Sequence, residues 1–429
     1  MDQAARTFLE QLFRTAVAAA HPGACLRGHL PAPPPGRLIL LAAGKAAGSM
    51  TQIAEQHYLQ GGLPQDRLLG LAVTRHGYGR PTQHIRMVEA GHPVPDQTGV
   101  DATEQTLALA DQAGADDLVL VLLSGGASAN WIAPAHGLAL ADKQATTRAL
   151  LRSGATIGET NTVRKHLSRI KGGRLAARAK PARVVTLAIS DVPRDDPDVI
   201  GSGPTAPDPS TLSAARSIVE RYGLEVPEGV TRALSDPANE TPKPRDPIFR
   251  NTGFSIVSRP ADAFRAAREA ARSAGYDCVF LGDQVEGEAR AVAQEHARIA
   301  RELQAQGRRA VILSGGELTV TLHKHGGQGG PNQEYALALA IALAGIRGIS
   351  VLAADTDGTD GGAGSPADPA GAFCDGSTAA RARALGLDPA SFLANNNSTQ
   401  FFAPLGDLLM SGPTFTNVND FRAILVDTA

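Results

Sequence analysis

Leu118-Val119-Leu120-Val121-Leu122-Leu123-Ser124-Gly125-Gly126 is a run of six apolar residues stopped by a hydroxyl and two glycines. A half-buried strand alternates apolar with polar residues, so an unbroken run of this length predicts a strand covered on both faces. The device recurs in the second half as Ile312-Leu313-Ser314-Gly315-Gly316. Outward from these two, short apolar runs at 38–43, 184–189, 255–258, 278–281, 310–313 and 349–353 alternate with amphipathic segments at 49–59, 261–273 and 288–303. That rhythm predicts an α/β protein with two Rossmann-like, three-layer domains and mostly parallel sheets. The stretch 226–247 breaks it with five prolines and little apolar content. Proline without periodicity reads as a linker or a surface crossing, which places the domains at 1–235 and 236–429.

The chain has 429 residues, 43% of them hydrophobic, which is enough for two real cores and argues against disorder. A formal charge of −2 removes the bulk electrostatic case for nucleic acid or an anionic membrane. Aromatics at 4%, with Trp131 the single tryptophan, are poor material for stacking bases. Cys25, Cys278 and Cys374 have no CxxC spacing, so a reducing cytoplasm is expected and a disulfide framework is not. Residues 1–20 carry charges throughout, unlike a signal peptide, and no segment approaches the ~20 apolar residues of a membrane span.

Ligands of open α/β sheets sit beyond the carboxyl ends of the strands, where most of the polar clusters fall. The turns Ser124-Gly125-Gly126 and Ser314-Gly315-Gly316 leave backbone N–H groups and a hydroxyl facing an approaching phosphate, or else are merely tight turns. Lys45, one of seven lysines, follows a strand in Gly44-Lys45-Ala46 and can act as a point charge on a phosphoryl group. From 161 to 173 the chain is dense in cations. Helical spacing puts Val163, Leu167 and Ile170 on one face and Arg164, Ser168 and Lys171 on another, with Lys165 and Arg169 on a third. Two acidic loops, one with Asp191, Asp195, Asp196 and Asp198 and one with Asp355, Asp357 and Asp360, suit a carboxylate holding Mg²⁺ and another orienting a hydroxyl. No Walker motif or nucleophile elbow occurs. The GxGxxA strings at 201–206 and 362–367 contain prolines that spoil a dinucleotide-binding helix.

Ordered strings from end to end resemble the type II glycerate kinases, whose C-terminal half is the MOFRL domain. They include Gly44-Lys45-Ala46-Ala47, Gly91-His92-Pro93-Val94-Pro95-Asp96, the stretch 161–173, Ser190-Asp191-Val192-Pro193 and Ser202-Gly203-Pro204-Thr205. In the second half they are Ser314-Gly315-Gly316-Glu317, Gly330-Pro331-Asn332-Gln333-Glu334, Thr356-Asp357-Gly358-Thr359-Asp360-Gly361 and Ser411-Gly412-Pro413-Thr414. The resemblance implies ATP- and Mg²⁺-dependent phosphorylation of D-glycerate, typically on the 2-hydroxyl, in a cleft between two α/β domains, with a homodimer as a further expectation. Carried over by motif, Lys45, Asp191 and Lys165 are the catalytic candidates. Arg164, Ser124, Gly125, Gly126, Asn332 and Glu317 would bind substrate. Ser314, Gly315, Gly316, Gly203 and Thr205 would bind nucleotide, and Asp357 and Asp195 the metal. The chain departs from many relatives in having Arg194 for Gly, Pro331 for Arg and Gln328 for a basic residue. Members with Pro-Asn-Gln-Glu are often labelled hydroxypyruvate reductases, so an NAD(P)H-dependent reductase is the alternative. Such a reductase needs a nicotinamide site, and the sequence offers no convincing one.

Overall fold

The computed structural model describes residues 1–322, 326–362 and 364–427. They form two compact units: Cys25–Val257, and Met1–Ala24 together with the chain from Ser258 onward.

In the unit Cys25–Val257 the strands are β1 (Leu38–Ala43), β2 (Leu68–Arg75), β3 (Arg86–Ala90), β4 (Leu118–Leu123), β5 (Arg183–Ile189) and β6 (Thr252–Ser258). Their order is β3-β2-β1-β4-β5-β6, and the pairings from β3 through β5 are all parallel. Both β1 and β4 are buried along their whole length, as their apolar runs predict. The strand order reverses between these two, so their carboxyl ends form the topological switch point of a doubly wound sheet. Helices Ala47–Gln60 and Gln97–Asp111 pack on this sheet.

The other unit has β7 (Asp277–Phe280), β9 (Ala310–Ser314), β11 (Ile349–Asp355), β12 (Gly371–Asp375), β13 (Leu408–Leu409) and β14 (Asp420–Val426), with a small parallel pair β8 (Gly287–Glu288) and β10 (Leu318–Thr319) beside them. The six-stranded order is β13-β12-β11-β14-β9-β7. Four strands run one way while β12 and β14 oppose them, so β7–β9 is the parallel contact and the other four are antiparallel. The expected parallel pairing therefore describes the first sheet better than the second. Among the described residues no helix lies between β11 and β12, and without a helical crossover the chain returns antiparallel. Helix Gln3–Ala20 belongs to this unit, packing on helix Pro260–Ser273 and on β11 and β14, with Phe13 edge-on to Phe421 at 5.9 Å.

The division falls at 257/258 rather than at the expected 235/236. The proline-rich stretch is no free linker. It contains helix Glu228–Ser235, and its continuation is tied down by His166 Nε2 to Glu240 at 3.0 Å and by the Thr241 hydroxyl donating to Asp208 at 2.9 Å. The expected helix 161–173 ends at His166, although Val163, Leu167 and Ile170 are all buried. Of the two GxGxxA strings, the second includes Ala363, which lies outside the described residues. Among the described residues no helix is long and apolar enough to cross a membrane.

Candidate functional site

At the switch point, register pairs Ala43 with Leu123 and sets the two following turns side by side. Lys45 N–H donates to the Gly125 carbonyl at 2.8 Å, and Ala46 N–H to the buried Ser124 hydroxyl at 2.9 Å. Gly44 has φ +118°, and a Cβ there would lie 2.4 Å from Ser124 Oγ, so glycine is required. Ser124, expected at the substrate, thus locks the two turns together. Gly126 has φ +86°, and a Cβ on it would lie 2.9 Å from Cδ2 and Nε2 of His92 and 3.4 Å from Cγ of Lys45. Lys45 and His92, both half-buried, therefore flank this turn. Among the described residues, no protein acceptor takes the N–H groups of Gly125 or Gly126.

Next to this turn stands a group of cations. A capping box, with Glu159 N–H on Thr156 Oγ1 at 3.3 Å and Thr156 N–H on Glu159 at 2.8 Å, starts helix Ile157–His166, which carries Arg164. The Arg164 guanidinium donates to Ser128 Oγ at 2.8 Å. Lys171, completely buried, donates to the same hydroxyl at 2.9 Å and to the carbonyls of Ser128 and Trp131 at 2.7 and 3.1 Å. Ser128 Oγ, accepting from both cations, has its proton left for Ser202 Oγ at 2.8 Å. Behind them, buried Lys143 donates to the Leu167 carbonyl at 2.8 Å. Burial, then the charges of Arg164 and Arg174, push Lys143 down to about 7. Burial also lowers Arg164, and burial with Arg164 and Lys143 nearby holds Lys171 well below the usual lysine range. Among the described residues, Arg164, Lys171 and Lys143 have only uncharged acceptors. Such a group of cations is relieved by an anion.

Lys165, expected to be catalytic, points elsewhere. It is buried in an ion-pair cluster with Asp198 at 3.0 Å and Asp208 at 3.3 Å, and it holds the helix to the 208–243 region. Asp191 is half-buried just past β5. Asp195 is half-buried in a left-handed conformation, and the neighbouring Arg194 is exposed and pairs with Asp196 at 3.2 Å. Gly203 and Thr205, expected at the nucleotide, serve the fold: Gly203 accepts from Gly173 N–H at 2.7 Å, and buried Thr205 shares a 2.6 Å hydroxyl contact with Thr186.

In the other unit the Ser314-Gly315-Gly316 turn is filled by protein. Arg422 donates to Ser314 Oγ at 3.3 Å and to the Gly315 carbonyl. Gly315 N–H is taken by the Gly282 carbonyl at 2.8 Å. A Cβ on Gly315 would meet the Phe264 ring at 2.4 Å, and one on Gly316 the Val285 backbone at 2.3 Å. Glu317 is exposed. Asn332, expected to bind substrate, is buried, with Nδ2 on Asp360 at 3.2 Å and Asp420 at 2.6 Å. Asp360 also accepts the Asn332 and Gln333 N–H groups at 3.0 and 2.8 Å, fastening the start of helix Pro331–Ala342. Gln328 accepts from Gln400 at 3.1 Å, and Pro331 opens the helix. Asp357 is buried, its Oδ1 accepting from the Thr359 N–H and hydroxyl at 2.8 and 3.0 Å. Mg²⁺ bound to a nucleotide needs only one or two protein carboxylates, and the rigidly held carboxylate of Asp357 fits that requirement.

Sequence reading missed His92, Ser128 and Lys143 as site residues. His92 was visible in its Gly-His-Pro string, whereas Ser128 and Lys143 are singled out by three-dimensional convergence alone.

Residues 8–235 match the family described as a domain of unknown function, DUF4147, and 310–420 match the MOFRL family. A D-glycerate 2-kinase of Thermotoga maritima is 41% identical over 415 residues, covering 96% of this chain and 95% of that protein. The crystal structure of a glycerate kinase from the same organism superposes with a TM-score of 0.85 at 39% identity, covering 99% of this chain and all of that one. An Agrobacterium vitis protein, provisionally named a hydroxypyruvate reductase, is 45% identical over 430 residues, covering 99% of this chain and 95% of that protein.

Proposed function

This chain belongs to the MOFRL-containing glycerate kinase family, and from that membership we propose that it transfers a phosphoryl group from ATP, with Mg²⁺, to D-glycerate, giving 2-phospho-D-glycerate. The observation that carries the reading is the buried cation group around Ser128, beside the switch-point turn: Arg164 and Lys171 both reach Ser128 Oγ, at 2.8 and 2.9 Å, with no carboxylate partner among the described residues. A small carboxylate placed against Arg164 supplies the missing negative charge and fixes the substrate's orientation.

Asp191 takes the proton of the attacking hydroxyl. Lys45 and the Gly125 and Gly126 N–H groups stabilise charge on the phosphoryl group in flight. Lys165 acts through the fold, by setting the helix that presents Arg164. Within its own unit Asp357 is the residue that would hold a magnesium ion, whose chemistry when bound is to neutralise phosphate charge. Catalysis is then mainly positioning and electrostatic stabilisation. The working compartment is the cytoplasm, in keeping with three cysteines that no disulfide joins.

The test is ADP release by the purified protein with ATP, Mg²⁺ and D-glycerate, run beside NADH oxidation with hydroxypyruvate. ADP release that depends on D-glycerate is the expected result. NADH oxidation without ADP release would overturn the kinase reading in favour of the reductase.

A further inference from the structure

We infer that His92 is a catalytic residue of this phosphoryl transfer, donating a hydrogen bond from its imidazole to the group being transferred; the inference rests on the kinase reading above. Its ring is brought to the switch-point turn at a cost in sequence freedom. Gly126 must be glycine, since a Cβ would stand 2.9 Å from Cδ2 and Nε2 of His92. The ring thus lies over the turn whose two N–H groups have no protein acceptor among the described residues, and shares that ground with the stem of Lys45.

The loop that carries His92 is anchored at several points. A Cβ on Gly91 would meet the Val94 carbonyl at 2.4 Å, so the chain doubles back on itself there. Fully buried Asn130 reaches the Gly91 carbonyl at 3.5 Å, and Gln144 donates to the Pro95 carbonyl at 2.8 Å. Asp96 closes the loop by capping helix Gln97–Asp111 through the Gly99 N–H at 2.9 Å. A side chain held from both ends of its loop keeps one position relative to Lys45, as a catalytic donor must. An apolar side chain would fill the space over Gly126 equally well. Imidazole adds an N–H that can point to an oxygen beside a lysine charge.

In the transfer, the glycerate hydroxyl oxygen forms a bond to the γ-phosphorus while the bond from that phosphorus to the bridging oxygen breaks. The bonding pair leaves with the nucleoside diphosphate, and the hydroxyl proton goes to Asp191. His92 makes and breaks no covalent bond. Its N–H donates to a non-bridging oxygen, where charge must be held as the group moves.

Two variants of the full chain that both fill the space separate this role from packing. His92→Leu removes the donor and His92→Gln keeps one. We expect His92→Leu to lower kcat by about 30- to 100-fold, with KM for D-glycerate within about threefold and the melting temperature within about 2 °C of wild type. His92→Gln should recover about tenfold of that loss. A Leu variant that keeps kcat within about threefold, or that equals or exceeds the Gln variant, overturns the role of His92 and leaves the kinase reading standing. A wild-type protein that releases no ADP with D-glycerate overturns the kinase reading, and this inference with it.

Discussion

The two Ser-Gly-Gly turns begin from the same sequence device and end in opposite states. At 124–126, the serine hydroxyl locks one strand end to the next, and the glycines leave room for Lys45 and His92 while their N–H groups find no protein acceptor among the described residues. At 314–316, Arg422 reaches the serine hydroxyl and the Gly315 carbonyl, Gly282 takes the Gly315 N–H, and Phe264 and Val285 occupy the space that side chains would need. A strand followed by Ser-Gly-Gly therefore sets a backbone shape. Whether that shape is offered to a ligand or consumed by packing depends on residues far away in sequence.

The contrast can be broken most sharply at Lys45. Lys45→Ala should reduce turnover by about 100- to 1,000-fold without altering the melting temperature, read from ADP release and thermal unfolding of the same preparation. Near-normal turnover would mean that the first turn is as inert as the second.

The unit that holds the second turn answers to acid instead. Burial, then the Arg422 charge, hold His296 down to about 4, and its Nδ1 meets the Tyr335 hydroxyl at 2.7 Å. Below pH 6.5 the unfolded chain takes up a proton that the folded form refuses. The His296 contribution is thus complete above 6.5 and is lost as the pH drops toward 4, by about 3 kcal/mol in all. Asp360, which burial pushes up to about 7, works in the opposite direction over the same range. The loss should therefore appear as a fall in the stability of wild type relative to His296→Gln when urea unfolding of both is followed from pH 7 to 4.5.

Adding one methyl to each turn sharpens the comparison further. Gly316→Ala, at φ +98° and against the Val285 backbone, should lose about 2–3 kcal/mol of stability. Gly126→Ala, at φ +86° and against the ring of His92 rather than against backbone, should lose about 1–2 kcal/mol of stability and far more activity. Chemical denaturation and initial rates on both variants decide the matter; equal activity losses would erase the distinction.

The smallest effects fall on the serines. Ser124→Ala leaves the buried Ala46 N–H without its acceptor, at about 2 kcal/mol, whereas Ser314→Ala removes a longer bond to an arginine with other partners, at about 1 kcal/mol.

The elements that announced themselves in sequence are those whose burial leaves no room for polar residues. β1 and β4 have the bounds that their apolar runs gave. β14 escapes that criterion because Asp420 and Arg422 interrupt its apolar character, and they are tolerated inside because they pair with each other at 2.9 Å. β3 escapes it as an edge strand with exposed Arg86. In the site, Lys45 and its turn were legible because glycines at a strand end limit what can happen there. Helical spacing put Arg164 and Lys171 on one face, and they do converge, but through a helix that stops at His166 and a serine from another element. Lys165 could not be read locally, since Asp198 and Asp208, which bind it, lie 33 and 43 residues further along.

Helix Gln3–Ala20 gives the molecule a timetable. It is made long before the strand it rests against, β14, which begins at Asp420. At ~5–20 residues per second, about 20–80 s of synthesis separate the two. The unit Cys25–Val257 is one continuous stretch, so it can finish on the ribosome while the amphipathic first helix waits. The second core closes only when β14 reaches that waiting helix.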